Sequence, residues 1–161
     1  MDVAVDPLSE LSSFLVPVDG SDASDNALAI TCDVARRKRA RVTALYVIEV
    51  PRSLPLEAEL EPEAERGEQI LTRAEQIADA HDIQLESALL QAREAGQALV
   101  DEAVELGVDA IVVGLGFRHR PYGRPELGRL PQYVLTNAPC QVWLIRQAPD
   151  EDGEAEPAGA G

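Results

Sequence analysis

Residues Val112–Arg146 read VVGLGFRHRPYGRPELGRLPQYVLTNAPCQVWLIR, and this stretch decides the fold. It consists of an apolar run that ends in glycine, a loop rich in Gly, Pro and Arg, a short helical segment and a second apolar run. A phosphate site is built in this way at the carboxyl end of a parallel strand, where free backbone N–H groups face the anion. Phe117 and Arg129, however, stand where a phosphate loop favours small residues. The stretch therefore predicts an α/β fold and an anion site with an altered cradle.

Strand and helix patterns alternate along the rest of the chain. Short apolar runs predict five strands, at Phe14–Val18, Arg41–Glu49, Ile83–Gln91, Asp109–Gly114 and Gln141–Arg146. Apolar residues at helical spacing predict four helices, which follow Ser21, span Glu63–His81, begin at Gly96 and span Leu130–Asn137. This alternation predicts a five-stranded parallel sheet with helices on both faces.

The helices are expected to bury their apolar stripes against this sheet. The stripes are Ala23, Ala27, Ile30 and Val34 in the first helix, Ile70, Ala74 and Ile77 in the second, and Leu99, Val100, Ala103, Val104 and Leu106 in the third.

Three segments are too polar or irregular to join the core. Residues 1–11 predict a flexible arm, and residues 148–161 predict an acidic disordered tail with five acids among Pro, Gly and Ala. Residues 51–66 hold five glutamates and three prolines and predict a mobile, solvated connection. The folded domain is therefore expected at 12–147.

The net charge of −15 argues against nucleic acid and anionic membranes as partners. Lys38 is the only lysine against 13 arginines, a balance that favours a protein from a halophilic archaeon; an acidic protein from a high-GC genome is the alternative. No apolar run approaches the roughly 18 residues of a membrane span. Cys32 and Cys140 form no CxxC motif, which is typical of a reduced cytoplasm.

Cationic side chains cluster in the loop that follows the fourth strand. Arg118, His119, Arg120, Arg124 and Arg129 reverse the sign of an otherwise acidic chain, and arginine suits phosphate or carboxylate ligands. The amino end of the following helix adds free N–H groups. The alternative is that these arginines pair with acids of the same subunit or of a partner.

Catalytic motifs are missing from the sequence. His81 and His119 lack metal-ligand spacing, Lys38 lies at a helix end, and no GxSxG motif or Cys/His nucleophile is present. The sequence therefore predicts a protein without a metal and without enzymatic activity.

Three segments together carry a family resemblance. LVPVDGSDASDNAL, EAGQALVDEAVELGVDAIVVG and VLTNAPCQVWLIR resemble the universal stress protein family in the right order and spacing, over about residues 13–146. The resemblance implies a Rossmann-like sheet of the adenine nucleotide alpha hydrolase-like type, with strand order 3-2-1-4-5. It also implies a homodimer whose Gln141–Arg146 strands pair antiparallel. Apolar residues on both faces of that strand, at positions 142–145, suit such an interface.

The nucleotide-binding branch of that family carries the motif Gly-x-x-Gly, about nine residues, then Gly-Ser or Gly-Thr. Gly114 matches the first glycine, Phe117 replaces the second, Gly128 matches the third in a loop one residue longer, and Arg129 replaces the hydroxyl. Gly116 and Gly123 are an alternative source of loop flexibility.

By the same resemblance Asp19 would meet adenine or ribose, and the Val47 backbone would bind the base. From the residues alone, Asp19 could equally cap the first helix. The candidate site comprises Pro17, Val18, Asp19, Gly20, Ser21, Val47, Gly114, Gly116, Arg118, Gly128, Arg129 and Leu130.

Two functions remain open. One is a non-enzymatic regulatory or stress-response module that binds ATP, another adenine nucleotide or another anion through the degenerate glycine loop. The other is a dimeric interaction protein that binds no nucleotide and whose site is empty or filled by its own side chains.

Overall fold

The computed structural model describes residues 3–116 and 127–148 of the chain. Within these residues the elements are β1 (Ser13–Pro17), α1 (Asp22–Lys38), β2 (Arg41–Glu49), α2 (Glu61–Ala80), β3 (Glu86–Ala92), α3 (Ala95–Leu106), β4 (Ala110–Leu115), α4 (Arg129–Asn137) and β5 (Gln141–Arg146). The acidic tail from residue 149 onward and Arg118, His119, Arg120 and Arg124 lie outside the described residues.

The strands form one parallel sheet in the order β3-β2-β1-β4-β5. Helices α1 and α2 pack on one face and α3 and α4 on the other, which confirms the predicted fold. The direction of winding reverses between β1 and β4. These two strands pair only at Phe14↔Ala110 and Leu15↔Ile111 among the described residues, and we call the unpaired region between their carboxyl ends the crevice.

Two aliphatic cores lie on the two faces of the sheet. Phe14, Val16 and Leu28 are fully buried under α1 and α2, whereas Leu15 and Ile111 are fully buried under α3 and α4. Each such side chain stabilises the fold by roughly 1.5–3 kcal/mol. Alternation along the short strand β1 therefore supplies both cores.

Some predicted stripe residues are exposed. Ile30 is 37% exposed, Leu106 44% and Val104 60%. The α1 stripe includes Thr31 instead of Ile30, and Thr31 is fully buried because its hydroxyl donates to the Ala27 carbonyl at 2.7 Å. A threonine bonded in this way is buried without an unsatisfied polar group. A search for apolar residues at helical spacing does not detect such a threonine.

Strand β3 begins later than predicted, at Glu86 instead of Ile83. The Ile83 N–H donates to the Ala78 carbonyl at 2.9 Å and Asp82 has a φ of 58°, so these residues close the end of α2. Strand β1 is shifted by one residue, to Ser13–Pro17. In contrast, β2 and β5 coincide with their predicted bounds.

Asp109 joins the strands at the amino edge of the sheet. Its Oδ2 accepts hydrogen bonds from the backbone N–H groups of Ser12 (2.8 Å) and Ser13 (3.1 Å) and from both hydroxyls (2.9 and 3.3 Å). These bonds, those from Ser12 above all, hold the pKa of Asp109 below its usual range. Asp109 therefore fastens the start of β1 beside the start of β4.

Strand β5 packs through both of its faces. Val142 and Leu144 contact the core under α3 and α4, while Trp143 and Ile145 contact the other core. The Trp143 ring meets Phe14 edge to face, with centroids 5.4 Å apart. The two apolar faces are thus explained within one chain, so they are not by themselves a sign of an interface. No helix among the described residues is long and apolar enough to cross a membrane.

Candidate functional site

The turn after β1 brings a carboxylate to the mouth of the crevice. Ser21 is the N-cap of α1, with its Oγ accepting the Ser24 N–H at 3.2 Å. Asp19 Oδ1 accepts the Ser21 N–H at 2.9 Å, so Asp19 stabilises the turn and is not itself the cap. Gly20 has a φ of +85°, a conformation that favours glycine. The Asp19 side chain is exposed at the carboxyl end of β1.

The Val47 backbone opens toward the same turn. The β1–β2 pairing ends where the Val18 N–H donates to the Leu45 carbonyl at 2.9 Å. Backbone groups of alternate residues in a strand point the same way, so those of Val47 point like those of Leu45 toward the β1 side. Val47 therefore presents an N–H and a carbonyl beyond the last bond of this ladder. Val18 itself is buried and belongs to the core.

Gly114 is required by packing. A Cβ at this position would lie 2.2 Å from the Ala23 carbonyl oxygen and 2.6 Å from its carbon. These are backbone atoms of the first turn of α1, so they cannot move aside as a flexible side chain would. Its match to the glycine motif therefore has a structural cause: α1 lies directly against β4.

Gly128 is different. It is the N-cap of α4 with a φ of −64°, and among the described residues an added Cβ would meet Pro131 Cδ alone, at 3.7 Å, an ordinary contact. No described side chain caps this helix end, so first-turn N–H groups point outward. Arg129 is exposed and makes no ion pair with any described residue. Leu130 packs on the core under α3 and α4 and fixes the helix end.

Of the remaining candidates, Pro17 ends β1 and Gly116 is half-buried just after β4. Arg118 lies outside the described residues, as do Phe117 and Gly123. The structure thus gathers the turn after β1, the end of β2 and the start of α4 at one edge of the sheet, and it leaves Val18 and Gly114 in packing roles.

Two residues that the sequence analysis missed organise residues 51–60, which we call the strap. Arg93 Nη1 lies 2.6 Å from the Pro51 carbonyl oxygen, 2.9 Å from that of Leu54 and 3.3 Å from that of Val50. Gln91 Nε2 lies 2.8 Å from the carbonyl oxygen of Leu56 and 2.9 Å from that of Ala58. The strap is exposed but held, and α2 begins at Glu61 with a proline in its first turn, so the predicted mobile connection is replaced by turns and helix.

The other titratable groups have structural partners. His81 Nδ1 lies 2.8 Å from Asp33 Oδ1, and this hydrogen bond lowers the pKa of Asp33. Burial, with a smaller effect of Asp33, raises the pKa of Cys32 to about 11, so this thiol stays protonated near neutral pH. Within the described ranges no three His, Cys, Asp or Glu side chains are grouped to hold a metal ion.

Fold and site together define an α/β protein with a polar crevice at the switch point of its sheet, the usual ligand position in this architecture. The model of the universal stress protein family matches residues 11–146. The chain belongs to the universal stress protein family.

Individual relatives agree with that assignment. The chain is 27% identical over 143 residues to a universal stress protein of Methanocaldococcus jannaschii, covering 85% of this chain and 83% of that protein. A universal stress protein structure from Archaeoglobus fulgidus superposes with a TM-score of 0.70 at 21% identity, covering 84% of this chain and 98% of the other. A structure from the same organism in complex with dAMP has a TM-score of 0.68 at 20% identity, covering 85% and 98%.

Proposed function

We propose that the protein is a non-enzymatic, cytoplasmic stress-response module that binds an adenine nucleotide at the carboxyl edge of its sheet. The observation that carries the proposal is the end of the β1–β2 ladder, which leaves the Val47 N–H and carbonyl beside the exposed Asp19 carboxylate. A donor and an acceptor on one residue complement the adjacent acceptor and N6 donor of adenine. Asp19 Oδ2 would accept a ribose hydroxyl, while Oδ1 keeps its bond to Ser21.

The start of α4 suits the phosphate end. Its first-turn N–H groups lack a side-chain cap among the described residues, and Gly128 leaves room for the backbone to approach an anion. Arg129, exposed at the start of this helix, supplies a guanidinium that suits a phosphate. The dAMP complex of an Archaeoglobus fulgidus relative supports the same class of ligand.

Calorimetric titration of the full chain with AMP tests this function, with IMP as the matched control. IMP replaces the N6 amino donor by a carbonyl oxygen and the N1 acceptor by an N1–H donor, so in the pose of adenine its O6 would face the Val47 carbonyl, acceptor against acceptor. We expect AMP to bind and to raise the melting temperature, because a ligand at 100 times its Kd adds about 2.7 kcal/mol to the free energy of unfolding. We expect IMP to bind at least about tenfold more weakly. Equal binding of both would contradict base recognition at Val47. No heat and no thermal shift with AMP, ADP, ATP or cyclic AMP at millimolar concentration would exclude the function.

The partner we propose is a second copy of the chain, paired along β5. The Gln141 and Gln147 N–H groups donate toward β4, so the backbone groups of Val142 and Leu144 face the outer edge of the sheet. An apolar edge strand with free N–H and carbonyl groups is a template for strand pairing.

Leu144→Pro removes one outward N–H without disturbing the bonds to β4, and Leu144→Ala is the control for the lost side chain. We expect the wild type and the alanine variant to sediment as dimers and the proline variant as a monomer. A proline variant that remains dimeric would move the interface elsewhere.

We also infer a surface adapted to high salt, from the net charge of −15 with a single lysine. Unscreened carboxylates repel one another when salt is removed. Dialysis into low salt should therefore unfold the protein, as followed by Trp143 fluorescence and circular dichroism. A melting temperature independent of salt would contradict this inference.

A further inference from the structure

The strap is held by two side chains at the carboxyl end of β3, those of Gln91 and Arg93. Its internal backbone bonds close only two turns, Leu54 N–H to Pro51 O and Ala58 N–H to Pro55 O, each at 3.0 Å. Gln91, just inside the end of β3, donates to the carbonyls of Leu56 and Ala58, and Arg93, just beyond that end, donates to those of Val50, Pro51 and Leu54. No residue of the strap is buried, so apolar burial contributes little to its order. The strap is therefore ordered from outside.

The strap rises from the strand that carries Val47. Val50 follows Val47 by three residues, and its N–H donates to the Ala92 carbonyl at 2.8 Å, at the carboxyl ends of β2 and β3. Leu54 and Leu56 are 39% and 38% exposed, which places apolar surface at an otherwise polar edge. Sites for planar organic ligands combine such apolar walls with a few fixed polar groups.

We propose that the strap is a preformed wall of the base end of the site, and that Arg93 and Gln91 are positioning residues that set ligand affinity without touching the ligand. This inference rests on the proposed adenine-nucleotide function. Ordering a loop at the moment of binding lowers affinity, whereas a loop fixed beforehand removes that cost. Glu57 and Glu59 outweigh Arg52 within the strap, so it suits an uncharged base and repels phosphate, which is directed toward Arg129.

The first test asks whether Arg93 holds the strap, and it needs no ligand. The Arg52–Ser53 bond lies between the two carbonyls that Arg93 grips, at Pro51 and Leu54, and trypsin cleaves after Arg52 only when this backbone is released. We expect Arg93→Ala to accelerate cleavage of the full chain at this bond about tenfold. The control is Arg41→Ala, which removes an exposed arginine paired with Glu86 at the opposite edge of the same strands. Equal cleavage of all three proteins overturns the proposal.

The second test asks whether the held strap serves the ligand. Arg93→Ala should weaken the binding of adenosine and of AMP by the same factor, about tenfold, because only the base end of the site is altered. Arg41→Ala should leave both affinities unchanged. Gln91→Ala should weaken the binding of adenosine and of AMP by a smaller factor. If Arg93→Ala does not fold, this variant shows whether the held strap sets the affinity.

The outcomes separate the two proposals. An opened strap with unchanged affinities would overturn the strap's role while the proposed function stands. A wild type that binds neither adenosine nor AMP would remove the proposed function and the wall with it, whereas the trypsin result would still decide whether Arg93 positions the strap.

Discussion

At the amino edge of the sheet, Asp109 Oδ2 accepts hydrogen bonds from two backbone N–H groups and two hydroxyls. At the carboxyl edge, Asp19 accepts one bond from a described residue, the Ser21 N–H, and is otherwise exposed. Both aspartates lie at the ends of neighbouring strands, yet the fold directs four donors to Oδ2 of Asp109 and one described donor to Asp19. Polar groups with few partners in the fold are therefore the ones that can bind a ligand.

The same contrast separates two glycines of the motif. Gly114 is required by the Ala23 backbone, whereas an added Cβ at Gly128 makes only an ordinary contact with the described residues, and the Gly128 backbone has a conformation that any residue adopts. A motif glycine therefore reports either on packing or on access for a ligand, and the contacts of a built Cβ distinguish these.

The largest effect is expected at Gly114. Gly114→Ala forces α1 away from β4 and should lower the free energy of unfolding by about 3 kcal/mol. Gly128→Ala is the matched control and should change it by less than about 0.5 kcal/mol. Urea unfolding monitored by circular dichroism measures both. Equal stability of the two variants would mean that the Gly114 contact relaxes freely.

Asp109→Ala comes next. It leaves several donors of Ser12 and Ser13 without their acceptor and should cost about 2 kcal/mol of stability at pH 7. Asp19→Ala, at the other edge, should cost no more than about 1 kcal/mol because it removes one bond. A reversed order of these two variants in urea unfolding would refute the proposed difference between the edges.

The effect of Asp109 depends on pH in a defined direction. The folded state lowers the pKa of Asp109, mainly through its bonds from Ser12, so the unfolded chain binds the proton first as pH falls. The stabilisation is complete above the unfolded pKa of about 3.9 and is lost as pH falls through the lower folded pKa. The stability gap between wild type and Asp109→Ala should therefore narrow only below about pH 4. A gap that narrows between pH 7 and 5 would point to another group.

Asp19→Asn tests whether the Asp19 carboxylate binds the ligand. The amide retains an oxygen for the Ser21 N–H but replaces Oδ2, the proposed acceptor of the ribose hydroxyl, by an NH2 donor. We expect adenosine and AMP to bind about tenfold more weakly, with little change in melting temperature. Calorimetry on both ligands measures this. Unchanged binding would return Asp19 to a role in the turn alone.

The smallest effect is expected at Arg129. Arg129→Ala should weaken AMP about fivefold at moderate salt and leave adenosine unchanged, because only the phosphate meets the guanidinium. Raising the salt concentration should shrink the difference. A loss of thermal stability instead would show that Arg129 supports the fold.

The sheet and its helices could be predicted because alternation and helical spacing are local properties of the sequence. The limits of β2 and β5 followed from bounded apolar runs, as in QVWLIR, and the family resemblance supplied the strand order. The site was harder to predict from the sequence, because the backbone groups of Val47 are left without a strand partner by the place where the neighbouring strand β1 ends. Nothing in the sequence around Val47 shows that β1 stops two residues too early to pair with it.

The strap shows the same limit. Arg93 and its acceptors are separated by 39 to 43 residues, and backbone carbonyls leave no trace in the identity of the residues that carry them. Composition therefore indicated a mobile segment where long-range bonds impose order. The packing reason for a glycine at position 114 could not be predicted for the same reason, because Gly114 contacts the backbone of Ala23 and not its side chain.

The bonds between Asp109 and Ser12 span 97 positions of the chain, and this separation constrains how the protein is made. Closing so long a loop is entropically slow, so the central strand is completed late in folding. During synthesis, β1 to β3 leave the ribosome before the residues that finish the sheet exist. The edge of β1 that pairs with β4 therefore stays unpaired until β4 has been synthesised. We expect the nascent chain to be most prone to aggregation in this interval.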